Sequence, residues 1–212
     1  MKKPVTLYIL LLALSIGVLF LLNLFLGSVD IPFRSIWNIL WGMDEGESVI
    51  CQNIIWKSRV PQALTAMVAG AGLAVSGLQM QTVFRNPLAG PSVLGISSGA
   101  SLGVAFVVLL SGSIGGIALS RLGFMGEIAL TMAAIIGALS IMALIVYVSQ
   151  KVHGNVTLLI IGVMIGYVAN AVIGVLKFFS VEEDIRAYVI WGLGSFARVS
   201  GNQMMVFVCI MA

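Results

Sequence analysis

The sequence predicts an all-α polytopic membrane protein, a bundle of helices that cross the lipid bilayer. Its composition is the first observation: 60% of the residues are hydrophobic, 9% are charged, and the mean hydropathy is +1.12. A soluble domain carries about 25% charged residues, so the composition argues against that class. The second observation is a series of uncharged apolar runs, several of which reach the ~20 residues that a membrane-crossing helix needs. Together these predict five complete transmembrane helices and the start of a sixth.

The first uncharged run extends from Pro4 to Val29, directly after Lys2 and Lys3. A secretory signal peptide would have an apolar part of only ~7–15 residues, followed by an Ala-x-Ala-like cleavage site. This run is longer, and no such site follows it. We therefore expect an uncleaved first transmembrane helix.

Residues 30–58 are interrupted by charged side chains and do not read as a spanning segment. An Asp or Arg at the centre of a spanning helix would cost ~2.5–3.5 kcal/mol on insertion scales. Apolar and aromatic residues in the middle of the segment instead predict a short helix lying at the membrane interface. Trp56 adds an aromatic residue of the kind enriched at membrane interfaces. The apolar and aromatic residues of the predicted helix are Ile36, Trp37, Ile39, Leu40 and Trp41.

Four more apolar runs predict the remaining complete spans, the first of them beginning near Pro61, a residue that suits the first turn of a helix. They cover about Val60–Met80, Pro91–Leu110, Ile128–Ser149 and Val156–Leu176. Small residues recur along them and favour close helix packing. The packing candidates are Gly70, Gly72, Gly77, Gly95, Gly99, Gly103, Gly162 and Gly166.

The last part of the sequence predicts a second interfacial helix and an incomplete span. Residues 177–200 are too polar to cross, and the sixth apolar run, from about Met204 to Ala212, has half the length needed. We expect residues 1–212 to be a single transmembrane domain. We also expect it to be the N-terminal part of a longer fold, truncated at its C-terminus.

Several short motifs follow one another closely between Arg59 and Ala100. The order is Arg-x-Pro, Gly-Ala-Gly-Leu-Ala-x-Ser-Gly-x-x-x-Gln, Arg-Asn-Pro-Leu-Ala-x-Pro and Leu-Gly-x-Ser-x-Gly-Ala. This series resembles the permease family of bacterial ABC importers for iron chelates (siderophores, haem) and cobalamin. The resemblance implies about ten helices in two repeats and a homodimer of permeases. It also implies separate ABC ATPase subunits and a periplasmic or lipoprotein substrate-binding protein.

The charges predict a multi-pass protein with its N-terminus in the cytoplasm. That orientation makes the inner loops purely basic and places all eight acidic residues outside. More Lys and Arg residues fall outside than inside, which by itself favours the opposite orientation. We choose the first because the inner loops are short and Lys2 and Lys3 flank the first helix. The resemblance implies the same orientation, in the bacterial inner membrane.

Arg59, with Lys57 beside it, is the candidate for docking the binding protein. In the resembling family, arginines of an Arg-x-Pro-Arg motif receive acidic residues of the binding protein. Arg59 matches the first arginine, whereas Gln62 stands where the second is usual. The alternative is that Arg59 anchors the helix at lipid phosphates.

Two further positions are candidates for transport roles. Arg85, Asn86 and Pro87 form a predicted cytoplasmic turn, which is either an ATPase contact or a purely structural turn. Asn170 lies within the fifth predicted span, where a polar residue usually faces a partner or a pathway. The resemblance implies that this helix lines part of the translocation path.

The sequence argues against enzymatic chemistry in this chain. Residues 95–99 match Gly-x-Ser-x-Gly, but a nucleophile elbow needs a strand before the serine and a nearby His and carboxylate. His153 lies in another loop. No Walker A motif occurs, so ATP hydrolysis is expected in another subunit. Cys51 and Cys209 lack metal-site spacing, and no basic face for nucleic acid is present, so we expect no metal, cofactor or nucleic acid.

The predicted function is that of a permease subunit of an ABC importer for an iron chelate or cobalamin. One alternative is an inactive or partial fragment of such a permease. The other is a secondary transporter, which would need ionisable residues inside its spans for ion coupling. The predicted spans contain none.

Overall fold

The structure, a computed structural model, describes residues 3–43, 48–115, 124–152, 154–196, 199 and 201–211. Helices connected by short turns make up this part of the chain, and no strand occurs in it. The helices are α1 (Lys3–Phe25), α2 (Phe33–Leu40), α3 (Val49–Ile54), α4 (Val60–Phe84), α5 (Ile96–Gly115), α6 (Phe124–Ser149), α7 (Asn155–Phe179), α8 (Glu182–Leu193) and α9 (Gly201–Met211). The predicted all-α class is confirmed.

Four stretches of the described residues are long and apolar enough to cross a membrane: Val5–Phe25, Val49–Phe84, Met125–Ser149 and Val156–Phe179. The remaining predicted span is observed as α5, Ile96–Gly115, whose 20 residues match the ~20 that a crossing needs. It begins at Ile96 rather than near Pro91, because residues 91–95 form turns instead of helix.

The helix predicted to begin at Val60 begins earlier, at Val49, and this start is a correction to the sequence interpretation. A π-helical turn, Ile55–Arg59, joins α3 to α4 without a break. Pro61 therefore lies inside a long helix. Its ring would clash with the carbonyl four residues earlier, that of Lys57, in a regular α-helix. The wider π turn covers that carbonyl, which explains how the helix continues through the proline.

The chain forms two compact units, Met1–Gly72 with Ser195–Ala212, and Leu73–Gly194. In the first unit, Ile36 and Ile39 of α2 are buried in a cluster with Ile31 and Ile55. Phe33, Trp37 and Trp41 are exposed and form a row of aromatic rings. Phe33 stacks on Phe25 of α1 and on Trp37, with centroids 4.8 and 6.3 Å apart, and Trp37 lies tilted against Trp41 at 5.8 Å. The predicted short helix is thus observed as α2, and its place at the membrane interface remains a prediction.

In the second unit, α5 is central and contacts α6, α7 and α8. The main core cluster joins these helices through Val104, Ala105, Val108, Leu109, Ile173 and Tyr188. Gly99 and Gly103 let α5 approach α6 closely, since a Cβ added at Gly99 would lie 2.7 Å from the Gly137 carbonyl oxygen. One added at Gly103 would lie 3.1 Å from the Gly137 Cα. The short helix predicted within residues 177–200 is confirmed as α8.

Candidate functional site

A small open pocket lies between the start of α5 and the middle of α7, inside the second unit. Its volume is about 200 Å³, and its walls come from the turn before α5, the first turn of α5, and one face of α7. The lining residues are Ser92, Val93, Gly95, Ser98, Val163, Gly166, Tyr167 and Asn170. Gly95, Gly166 and Asn170, three of the sequence candidates, are thus brought together.

Gly95 determines how the turn enters α5. It adopts φ +73°, a left-handed conformation that favours glycine. Its N–H donates to the Ser92 carbonyl oxygen at 3.2 Å, and its own carbonyl accepts from the Gly99 N–H at 2.9 Å. A Cβ at this position would also lie 2.7 Å from the Gly162 carbonyl oxygen. Glycine is therefore required twice, for the backbone conformation and for the contact with α7.

The two glycines of α7 have matching roles. A Cβ added at Gly162 would lie 2.9 Å from the Leu94 Cα, and one added at Gly166 would lie 3.3 Å from the Ser98 hydroxyl oxygen. Gly162 thus lets the turn approach α7 closely, and Gly166 leaves room for the Ser98 hydroxyl. The spacing of small residues in the sequence predicted close packing here, although it did not identify the partner.

The pocket lining mixes polar and apolar side chains and carries no carboxylate, ammonium or imidazole group. Hydroxyls come from Ser92, Ser98 and Tyr167, and Asn170 adds an amide that both donates and accepts hydrogen bonds. Asn170 and Tyr167 are exposed. Such a lining can hydrogen-bond a polar solute without offering it a fixed charge or a catalytic acid and base.

Arg59 is placed differently from the expectation of an outward-facing docking charge. Its side chain is only 5% exposed. One guanidinium nitrogen donates to the backbone oxygens of Leu24 at 2.6 Å and Phe25 at 3.2 Å, and the other donates to that of Val29. The last carbonyls of a helix lack partners within the helix and carry partial negative charge. Arg59 thus caps α1, a role that sequence reasoning missed.

Gly27 makes room for this cap, since a Cβ there would lie 2.8 Å from a terminal nitrogen of the guanidinium. No local sequence signal reveals the contact, because the partners of Arg59 lie some thirty residues earlier in the chain. Lys57, on the same π turn, is exposed. Of the two docking candidates, only Lys57 presents its charge at the surface.

The predicted turn after α4 is tightly built. Arg85 has φ +48°, and its N–H donates to the Thr82 carbonyl oxygen at 3.3 Å. The Asn86 side-chain oxygen accepts from the Leu88 N–H at 2.9 Å, an Asx-type turn. Pro87 follows within it and is exposed. Arg85 is also exposed, and Leu88 is 84% exposed, so the turn presents a cation and an apolar side chain at its surface.

The remaining packing candidates lie in α4. Within the described part of the chain, a Cβ added at Gly70 or Gly77 would meet nothing within 4 Å. Gly72 lies between them on the same helix. A packing role for these three glycines remains a prediction.

The four long apolar stretches of the described residues define a polytopic helical membrane protein. The chain belongs to the FecCD transport family, whose model matches residues 12–212. It is 35% identical over 182 residues to the hemin transport system permease protein HmuU of Yersinia pestis, covering 85% of this chain and 51% of that protein. It is 36% identical over 197 residues to the vitamin B12 import system permease protein BtuC of Serratia proteamaculans (strain 568), covering 92% and 53%.

Comparison with solved structures agrees with the family assignment. An ABC transporter assigned to the metal-chelate type, in an inward-facing conformation, superposes with a TM-score of 0.71 at 27% identity. The match covers 94% of this chain and 57% of that chain. The chain thus spans about half the length of the curated relatives it matches.

Proposed function

We propose that this chain belongs to a permease subunit of an ATP-driven ABC importer for an iron chelate (siderophore or haem) or cobalamin. The observation that carries the proposal is the match of residues 12–212 to the FecCD transport family, with the uncharged pocket between α5 and α7 as its structural support. Large polar chelates need a route that offers hydrogen bonds without a strong binding charge, because tight binding would hold the solute in place. Ser98, Tyr167 and Asn170 provide such groups.

The proposed location is the bacterial inner membrane, with the N-terminus in the cytoplasm. α1 then ends at the outer face, α4 returns to the inner face, and the Arg85 turn is cytoplasmic. We propose that this turn contacts an ABC ATPase subunit through Arg85 and the exposed Leu88. ATP hydrolysis takes place in that subunit, since this sequence has no Walker A motif.

On the outer face, the proposed docking charge for the substrate-binding protein is Lys57, with Arg59 holding the π turn against α1. A second permease copy completes the assembly in the lipid bilayer. Binding protein and ATPase act by binding two conformations of the permease with different affinities, which shifts the population between them.

A secondary transporter is the alternative that this pocket argues against. Ion-coupled transporters place ionisable groups near the substrate site. The residues that line the α5–α7 pocket include no acid and no base that titrates near neutral pH.

Uptake measurements in the host test the proposal. The gene is deleted, and uptake of radiolabelled cobalamin, haem and a ferric siderophore is measured with and without the gene restored. We expect loss of one of the three activities, sensitive to ATP depletion and insensitive to an uncoupler while ATP is maintained. Unchanged uptake of all three, or uptake that follows the proton gradient, would overturn the proposal.

A further inference from the structure

Asp184 is a buried carboxylate that the transport scheme does not use. It lies in the first turn of α8 and is 7% exposed. Tyr188, one turn later on the same face, is the other buried residue of α8. One carboxylate oxygen of Asp184, Oδ2, is shielded from solvent and has no hydrogen-bond partner among the described residues. A buried carboxylate in such a position is costly when ionised.

The charged groups of the helices around Asp184 are directed elsewhere. α5, which packs against α8, has no acidic or basic residue along Ile96–Gly115. From α7, the Lys177 ammonium lies over the Tyr188 ring, 4.7 Å from its centroid. The Tyr188 hydroxyl is hydrogen-bonded to the Ser101 side chain of α5. The remaining charges are on α8 itself, at Glu182, Glu183 and Arg186, all exposed.

We propose that Asp184 is a proton-binding site that controls how firmly α8 packs on α5. With its proton bound, the side chain is a neutral acid and can stay buried beside the α5–α8 core. When the proton leaves to bulk water, an ionised carboxylate without a partner for Oδ2 remains, and moving α8 outward rehydrates it. The site is separate from the α5–α7 pocket and does not depend on the transported solute.

The electrostatics of the site agree with this geometry. Burial, and secondarily the neighbouring Glu183 carboxylate, raises the pKa of Asp184 above its ordinary value. The first turn of a helix normally favours an ionised acid, through the partial positive charge of its free N–H groups. In α8 this stabilisation is opposed by the loss of water around Asp184 and by the Glu183 charge.

The sign of the pH effect follows from the raised pKa. The packed state of α8 binds the proton more tightly than a state in which Asp184 is hydrated. Packing is therefore favoured fully below the ordinary pKa of 3.8, and that advantage is lost as pH rises through the raised pKa. For a single group the packing equilibrium changes by up to about tenfold per pH unit within this window.

The position of α8 gives this site a structural consequence. α8 packs on α5, and its Tyr188 ring contacts Lys177 of α7. Just before α8, the Ser180 hydroxyl donates to the Leu176 carbonyl oxygen of α7 at 2.6 Å and lies 3.1 Å from the Leu109 carbonyl oxygen of α5. α8 and its entry thus hold α5 and α7 together. Loss of the Asp184 proton loosens the contact between the two helices that also form the pocket.

Hydrogen exchange of the α8 amides tests the proposal. The protein is reconstituted in lipid nanodiscs and exchange is measured by mass spectrometry from about pH 3.5 to about pH 7, a range that includes the ordinary pKa of Asp184. Asp184→Asn keeps the shape and cannot ionise, so dividing its rates by those of the wild type cancels the intrinsic pH dependence of exchange. Glu183→Gln, at an exposed neighbour, is the matched control.

We expect wild-type α8 to lose protection relative to Asp184→Asn as pH rises, by up to about tenfold per pH unit. Glu183→Gln keeps this pH dependence but shifts it to lower pH, because one repelling charge is removed. Lys177→Gln also keeps it, since Asp184 is not neutralised by that ammonium. An identical pH dependence in wild type and Asp184→Asn would overturn the proposal. So would weaker protection in Asp184→Asn at every pH, because that result would make the carboxylate a structural hydrogen-bond acceptor.

Discussion

The Arg59 guanidinium donates a 2.6 Å hydrogen bond to the backbone oxygen of Leu24, thirty-five residues earlier in the chain. This contact joins the end of α1 to the π turn and explains why a charged side chain is buried there. It also assigns different roles to the two neighbouring cations, since Arg59 holds the fold together and Lys57 remains at the surface.

Replacing Arg59 tests the cap. Arg59→Gln leaves the Leu24, Phe25 and Val29 oxygens without their charged donor, and we expect a loss of about 2–3 kcal/mol in stability. Thermal unfolding of the protein in detergent measures it. Lys57→Gln, at an exposed site on the same turn, serves as the control and is expected to change stability by less than about 0.5 kcal/mol. Equal melting temperatures for the two variants would contradict the assigned role.

Replacing Gly99 tests the close approach of α5 and α6. In Gly99→Ala, the new methyl would lie 2.7 Å from the Gly137 carbonyl oxygen, so the two helices must separate. We expect a destabilisation of about 1–3 kcal/mol in the same unfolding measurement. Gly174→Ala on α7 is the control, because a Cβ there meets nothing within 4 Å. If Gly174→Ala destabilises as much as Gly99→Ala, helix contact is not the cause.

Gly95 and Gly42 together separate backbone strain from steric contact. Both have left-handed φ values, +73° and +69°, but of the two only Gly95 faces a close neighbour, the Gly162 carbonyl oxygen. Gly42→Ala should cost about 1–2 kcal/mol from strain alone. Gly95→Ala should cost more and should also reduce transport, since it displaces the turn that lines the pocket. Equal losses of stability would mean that the contact with α7 is unimportant.

Lys57 tests the docking proposal. Lys57→Glu reverses an exposed charge, and we expect association with the substrate-binding protein to weaken on the order of tenfold at low salt, with the difference shrinking as salt screens the charges. A pull-down or surface-binding assay measures it. Lys151→Glu, which lies on the opposite side of the membrane in the proposed orientation, is the control. Equal affinity for Lys57→Glu and the wild-type protein would remove Lys57 from the docking surface.

The sequence was most informative where apolar length alone decides the structure. Runs without charge predicted α1, α6 and α7 to within a few residues. The continuous helix that includes α4 was predicted to begin at Val60 instead of Val49, because Pro61 suits the first turn of a helix and a π turn before it has no clear sequence signature. The start of α5 was misplaced because Gly95 reads as a helix-packing glycine, whereas it is a left-handed turn residue.

Parts of the candidate site could be read from the sequence, and others depend on long-range contacts. Asn170 was a sequence candidate because a polar side chain within a spanning helix usually faces a partner or a pathway. In the structure it lines the pocket. Ser98 entered the sequence analysis only as part of residues 95–99, which match the nucleophile-elbow pattern Gly-x-Ser-x-Gly. The Arg59 cap and the burial of Asp184 could not be predicted, because each depends on elements that are distant in the sequence or packed only in three dimensions.

The accessibility of position 170 tests the central claim, that the α5–α7 pocket lies on the transport route. In a Cys51→Ser, Cys209→Ser background, Asn170→Cys and Val168→Cys are treated with a charged, membrane-impermeant thiol reagent, and substrate uptake is followed. Val168 is exposed on roughly the opposite face of α7 and does not line the pocket, so it is the control. We expect the reagent to block uptake at position 170, with substrate slowing the reaction, and to leave the Val168→Cys protein active. Full uptake after complete modification at position 170, or equal inhibition at both positions, would contradict the account.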